Sequence, residues 1–343
     1  FWAAGYQVLH GHAVDAYDAN LHSAAQAIAL GHPVSEHFPF IYPPPFLFVS
    51  AILALFPYVA AHLGWVLVTF AGYAAAIRSI IGARIGWLLA AAFPAVLADF
   101  ASGQNGLLTA GLIGGALILM RQRPALAGCL LGCLIYKPQF AVLFPLVLVI
   151  DGRWRMIFSA AVTVILLVAA SCAAFGVESW EAFFRALPGY SQVHLAHGEH
   201  WLKMQSVFIE ARLLGGSETL AWIVHGIFAG AGVLALCGLW RSRASFELKA
   251  AALAVATVLV LPSLFLYDLP VLAVALAFLL REARTTGFLP YELASIGAAC
   301  LLIFIFPVVT APVGLAAALI IAALIARRTL ALHIRQPGFA AAR

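Results

Sequence analysis

Charge is what this chain has least of. Asp, Glu, Lys and Arg make up 10% of its 343 residues, while 64% are hydrophobic and the mean hydropathy is +1.02. A soluble domain carries about 25% charged residues, so a water-facing surface over most of the molecule is excluded. Period-two alternation is missing too: the apolar runs are continuous, which excludes a closed β-barrel as the spanning form. The stretch from Phe1 to Gln26 has neither the charged head nor the apolar core of a signal peptide, and a helix upstream of it is expected. Metal-ligand spacing of cysteines is also lacking. Cys129, Cys133, Cys172, Cys237 and Cys300 all lie inside apolar runs and read as small membrane-core residues. A net charge of +5 would point a soluble protein toward nucleic acid, but here the basic residues sit in short loops, where they report topology, and no nucleic-acid partner is expected.

What is present predicts an all-α, polytopic membrane helix bundle. At about 20 residues per crossing, the chain has room for roughly ten transmembrane segments. Residues 1–42 form a polar extracytoplasmic segment, part of a first outer loop, in which Asp15 and Asp18 read as turn or capping residues. Tyr42-Pro43-Pro44-Pro45 closes it, and the apolar stretch Phe46–Phe56 is too short to span, so it is expected to be re-entrant or interfacial. The bundle then runs over residues 43–332, includes a long outer loop at 176–217, and is followed by a tail at 333–343. Alternating the loops from an outer residue 1 puts 15 of the 19 Lys and Arg residues on one side, leaving only Lys137, Arg185, Lys203 and Arg212 on the other. By the positive-inside rule the first side, and the 333–343 tail with it, is cytoplasmic, which fits a bacterial cytoplasmic (inner) membrane.

One basic residue stands apart. Lys137 interrupts the apolar run Pro124–Ile150, and an ammonium at that depth needs an anionic partner, a water-filled cavity or the interface. Pro138 behind it removes a backbone donor and disfavours helix at Lys137, so a break between two short helices is expected. Lys137 shares its side of the membrane with Tyr42, Gln104-Asn105, Gln205-Ser206 and Tyr267-Asp268. Gln104 and Asn105 read either as a cap on the following apolar helix or as part of an anion site at its N-terminus. Asp268 reads either as a helix cap or as a group that contacts substrate. The His194, His197, Glu199 and His200 cluster has loop spacing, and no metal and no cofactor is expected.

The segments FWAAGYQVLHGHAVDAYD, YPPPF, GQNGLL, IYKPQ and KMQS resemble, in that order, those of glycosyltransferase family 87. The resemblance implies a GT-C fold and an activity similar to that of mycobacterial mannosyltransferases that use polyprenyl-phosphate-linked mannose. It implies a hexosyltransferase whose donor is a polyprenyl-phosphate sugar and whose acceptor is a lipid or glycan, working among membrane lipids in an outward cavity. It also implies that the catalytic base is a carboxylate just before Phe1; within the chain, Asp268 is the one candidate for a catalytic role. Lys137, Tyr42, Gln104, Asn105, Gln205, Ser206, Tyr267 and Asp268 are the expected substrate-binding residues, with Lys137 set against the donor phosphate. Where such mannosyltransferases carry a Ser-Trp-His-His type segment, this chain has Pro262-Ser263-Leu264-Phe265-Leu266-Tyr267-Asp268. A transporter or flippase for an anionic lipid-linked sugar is the alternative; such proteins often show matching broken helices in their two halves, and no second Lys-Pro break is present.

Overall fold

The computed structural model describes residues 1–34, 38–191, 201–306, 308–309 and 311–335. They form α1 (Trp2–Leu9), α2 (Ala19–Leu30), α3 (Phe46–Ala54), α4 (Tyr58–Ile81), α5 (Ile85–Ala92), α6 (Ala95–Ser102), α7 (Gly106–Leu119), α8 (Pro124–Gly132), α9 (Phe144–Ile150), α10 (Trp154–Phe175) and α11 (Glu178–Ser191). After these come α12 (Val207–Leu213), α13 (Glu218–Arg241), α14 (Phe246–Leu259), α15 (Pro270–Thr286), α16 (Glu292–Phe304) and α17 (Val313–Arg335). Short 3-10 turns join several of them, and the described residues contain no β-strand beyond an isolated Met204–Phe265 bridge. The expected all-α membrane bundle is what the chain forms.

The apolar helices differ widely in length. Among the described residues four helices are long and apolar enough to cross a membrane: α4, α10, α13 and the Val313–Ala331 part of α17. Helices α5 and α6 make a fifth if taken together, bent by 66° at Phe93-Pro94. Phe93 is extended (φ −70°, ψ 121°) because the proline ring after it disfavours helix there. The other apolar runs are cut short by prolines, glycines and 3-10 turns.

Burial sorts the helices into a centre and a rim. Every residue of α15 from Pro270 to Leu279 is buried, as expected of a helix that is apolar all round; α4, α7, α14 and α17 pack against it. By contrast α10 and α13 leave Phe158, Ile165, Ile227 and Leu234 exposed. In water such a surface would aggregate, but against lipid tails it is the solvated face.

The bundle has two chemically different ends. At one, Arg281 and Arg284 donate to Ile80 O and Ile81 O at the C-terminus of α4, and Arg153 donates to Met120 O just past α7. Cations there complement the negative end of each helix dipole. At the other, the amino-terminal segment folds over the bundle. Asp18 caps α2 by accepting from Asn20 N (2.9 Å) and Leu21 N (3.0 Å), as expected for that residue, and Tyr17 donates to Tyr42 O at 2.9 Å. The stretch read as a long outer loop at 176–217 contains two helices, α11 and α12, and α11 packs on the 3-10 turn Ala13–Tyr17.

Candidate active site

The break at Lys137 is present. A 3-10 turn Cys133–Tyr136 ends there, Lys137 takes φ −138° and ψ 67°, and a second 3-10 turn runs Pro138–Ala141. This open geometry swings the side chain out of the helix line and into the bundle. The anionic partner that its depth demands is Asp268, whose Oδ1 lies 2.6 Å from Lys137 Nζ. Both residues are buried, at 6% and 3% exposure. The second Asp268 oxygen accepts from Phe265 N at 3.4 Å, and the ammonium also lies 5.2 Å from the Tyr267 ring centre and 5.6 Å from that of Phe140. Residues 131 positions apart thus form one ion pair that ties the Lys137 break to the 3-10 turn Leu266–Asp268.

The Gln104-Asn105 turn is built differently from either expectation. Neither side chain caps α7. Instead Asp99 reaches across from α6, accepting from Leu107 N at 2.7 Å and Gly106 N at 3.3 Å. Gly103 (φ 61°) takes the left-handed conformation that folds α6 back toward α7. Gln104 is released for other work: its Oε1 accepts from the Tyr42 hydroxyl at 3.2 Å and its backbone carbonyl from Trp65 Nε1 at 3.0 Å. Asn105 is fully buried, and neither its Nδ2 nor its Oδ1 has a hydrogen-bond partner among the described residues. It lies near the Tyr42 hydroxyl but outside hydrogen-bond geometry with it. Burial pushes that hydroxyl above the ordinary phenol range, with the Asp268 charge adding to the rise and Asn105 opposing it. Tyr42 therefore remains a proton donor.

Gln205 and Ser206 bind the same region together. Gln205 N donates to Leu264 O at 2.6 Å and its Oε1 accepts from Gly314 N at 2.7 Å, while Nε2 has no partner. Ser206 Oγ donates to Pro262 O and caps α12 by accepting from Ile209 N at 3.2 Å. The structure accordingly gathers Tyr42, Gln104, Asn105, Lys137, Gln205, Ser206, Tyr267 and Asp268, expected from five separate stretches of the chain, at one end of the bundle. The His194–His200 cluster lies outside the described residues.

A cavity of about 720 Å³ opens at this end. Tyr42, Gln104, Trp65, His62 and Tyr267 line it on the bundle side, with Phe1, Trp2, Leu30 and Phe38 from the amino-terminal segment and Lys203 from the turn before α12. Lys137 and Asp268 lie behind this wall, with Tyr267 between them and the opening. A site of this kind holds a ligand with a large apolar part and a few polar groups. The profile of Glycosyltransferase family 87 matches residues 40–263, which include Tyr42, Gln104-Asn105, Lys137 and Gln205-Ser206 and stop short of Tyr267-Asp268. The chain belongs to this family. Membership in glycosyltransferase family 87 makes it a membrane glycosyltransferase, with a sugar donor and an acceptor as its substrates. No curated protein and no solved structure matches the chain.

Sequence reasoning missed three contributors to this family 87 site. Trp65 and His62 lie on α4, where they read as ordinary members of an apolar span, and Asp99 reads as a loop residue although it is the cap of α7. Only the Asp99 role had a signal, a carboxylate just ahead of a glycine-rich turn. Because Asp99 satisfies two amides of α7 with its two carboxyl oxygens, Asp99→Asn, which keeps one good acceptor, is expected to lower stability by about 1 kcal/mol. Thermal unfolding of the purified variant in detergent measures this, and an unchanged midpoint would show that the amides do not depend on the carboxylate.

Proposed function

We propose that the protein transfers a mannose-like hexose from a polyprenyl-phosphate donor to a lipid or glycan acceptor on the outer face of a bacterial cytoplasmic membrane. The observation that supports this most is the cavity itself. It lies at the end opposite the arginine-capped helix termini, has long aromatic and aliphatic walls suited to a prenyl chain, and ends in hydroxyl and amide groups suited to a sugar. The acceptor hydroxyl oxygen attacks the anomeric carbon, the bond from that carbon to the phosphate oxygen breaks with its electron pair going to the phosphate, and the hydroxyl proton passes to a general base. A phosphate leaving group needs no metal when fixed cations and dipoles stabilise its charge.

Within this reading Tyr42 and Gln104 contact the sugar directly, and Asn105 and Gln205, buried beyond the lining, keep unmatched amide atoms in the layer behind them. Tyr267 forms the wall. We assign the Lys137–Asp268 pair a positioning role, since each charge is already met by the other; Asp268, held by Lys137 and by Phe265 N, orients the turn that carries Tyr267. Ser206 fixes the start of α12.

The test is a transfer assay with purified protein in lipid nanodiscs, using polyprenyl-phosphate mannose labelled in the sugar and a bacterial lipid extract as acceptor. Labelled glycolipid and free polyprenyl phosphate are expected in equal amounts. Movement of intact donor across a proteoliposome membrane without cleavage would replace the reading by the flippase alternative, and transfer from a nucleotide sugar alone would overturn the donor class.

A further inference from the structure

The described lining of the cavity contains one permanent cation, and it is not Lys137. Among the described residues that line it there is no carboxylate and no arginine; the titratable side chains besides tyrosines are Lys203, His22 and His62. His22 Nδ1 is bonded to Gln7 Oε1 at 3.0 Å and His62 Nε2 to Phe100 O at 3.3 Å. Lys203 makes no ion pair with any described residue, and its side chain is exposed to the opening. Its backbone, by contrast, is held on both sides. Met204 N donates to Trp201 O at 3.0 Å, Met204 bridges to Phe265, and the Arg212 guanidinium sits 4.7 Å from the Trp201 ring centre. Two residues on, Gln205 is fastened to Leu264 and Gly314. A free ammonium on a fixed backbone, facing a described lining with no opposing charge, is an arrangement for an anion.

We propose that Lys203 is the residue that meets the phosphate of the lipid-linked donor, an assignment that rests on the donor class proposed above. The division of labour follows from the two lysines' surroundings. An ammonium already paired at 2.6 Å with a buried carboxylate presents little net charge to a ligand. An unpaired one at the mouth presents its full charge, and apolar walls raise the attraction by lowering the local dielectric. The ammonium can also move with the phosphate as it departs, because its four-carbon stem is flexible. With the phosphate at Lys203, the prenyl chain lies along the apolar walls and the sugar points toward Tyr42 and Gln104.

The experiment measures binding of farnesyl phosphate and of farnesol to the purified full chain in detergent, at two salt concentrations. The parent is expected to bind farnesyl phosphate more tightly than farnesol, with affinity falling as salt rises. Lys203→Met is expected to weaken farnesyl phosphate binding about 10- to 100-fold, the range for loss of one charge-assisted contact, to abolish most of the salt dependence, and to leave farnesol binding unchanged. Lys203→Arg should recover most of the loss. Since Lys203 is exposed and forms no ion pair, an elution profile matching the parent's is expected for both variants, and the unchanged farnesol affinity is a second check on folding. If Lys203→Met binds farnesyl phosphate as tightly as the parent, the assignment is overturned. If the parent ignores farnesyl phosphate but binds a nucleotide sugar in a Lys203-dependent way, the donor class fails while the lysine keeps its anion-binding role. Binding of neither by the parent overturns both.

Discussion

Lys137→Met is expected to destabilise the protein by about 3–5 kcal/mol, the cost of leaving one charge of a buried pair without its partner. Methionine preserves the length and apolar volume of the lysine stem, so what is lost is the ammonium alone. Asp268 then sits at 3% exposure with one weak bond to Phe265 N at 3.4 Å, and it must either take up a proton or pull the Leu266–Asp268 turn toward water. The second consequence would move Tyr267 and open the cavity wall. Asp268→Leu alone should cost a similar amount, because it strands the ammonium instead. The double variant Lys137→Met, Asp268→Leu should recover most of the stability, since a buried ion pair replaced by well-packed apolar groups is often neutral. Unfolding midpoints of the four proteins in one detergent form a complete double-mutant cycle. A Lys137→Met protein as stable as its parent, or a double variant no better than either single one, would show that the pair does not hold the turn. The two lysines also separate cleanly: Lys203→Met should lower phosphate affinity with an unchanged midpoint, whereas Lys137→Met should lower the midpoint first.

How much of this site the sequence discloses depends on the range of the interaction. The composition forces a helical membrane bundle, and the helix break at Lys137 follows from a proline acting on its immediate neighbour. The cap of α2 by Asp18 is equally local. The demand for an anion near Lys137 is also legible, because a buried ammonium cannot stand alone, but nothing in the chain says that the anion is 131 residues away. Loop alternation places Lys137 and Asp268 on one side, and only the packing of the Leu266–Asp268 turn against α6 and α7 selects that carboxylate over the others on the same side. The short spans were harder to count, since a 14-residue apolar helix and a full crossing share one composition and differ only in where the chain turns. Helix α11 carries a local signal of its own. Glu178 and Glu181 favour its N-terminus through the dipole, and Trp180, Phe183 and Phe184 recur at helical spacing. In Lys203 the sequence shows one more outer-side cation; its freedom from ion pairs and its place on the cavity wall are properties of the fold.

Gly106→Ala is expected to damage the site from the opposite side of the same turn. Gly106 opens α7, and its Cα faces the backbone of the Leu266–Asp268 turn so closely that an added Cβ would collide with the Tyr267 carbonyl oxygen and reach Asp268 Cα at 3.4 Å. Neither atom belongs to a flexible side chain, so the clash is relieved only by separating α7 from the turn. Separation stretches the Lys137–Asp268 contact, shifts Tyr267 on the cavity wall, and disturbs the amide of Gly106 that Asp99 accepts. Overpacking of this kind costs about 1–3 kcal/mol, and the weakened ion pair adds to it. Gly72→Ala on α4 supplies the control, since a Cβ there meets nothing within 4 Å and alanine is the better helix former by about 1 kcal/mol. The unfolding midpoint should therefore fall for Gly106→Ala and hold or rise for Gly72→Ala, and farnesyl phosphate affinity should fall in the first protein alone. Equal midpoints for the two variants would mean that α7 and the turn can move apart at no cost, and that the close approach at Gly106 does not set the geometry of the cavity wall.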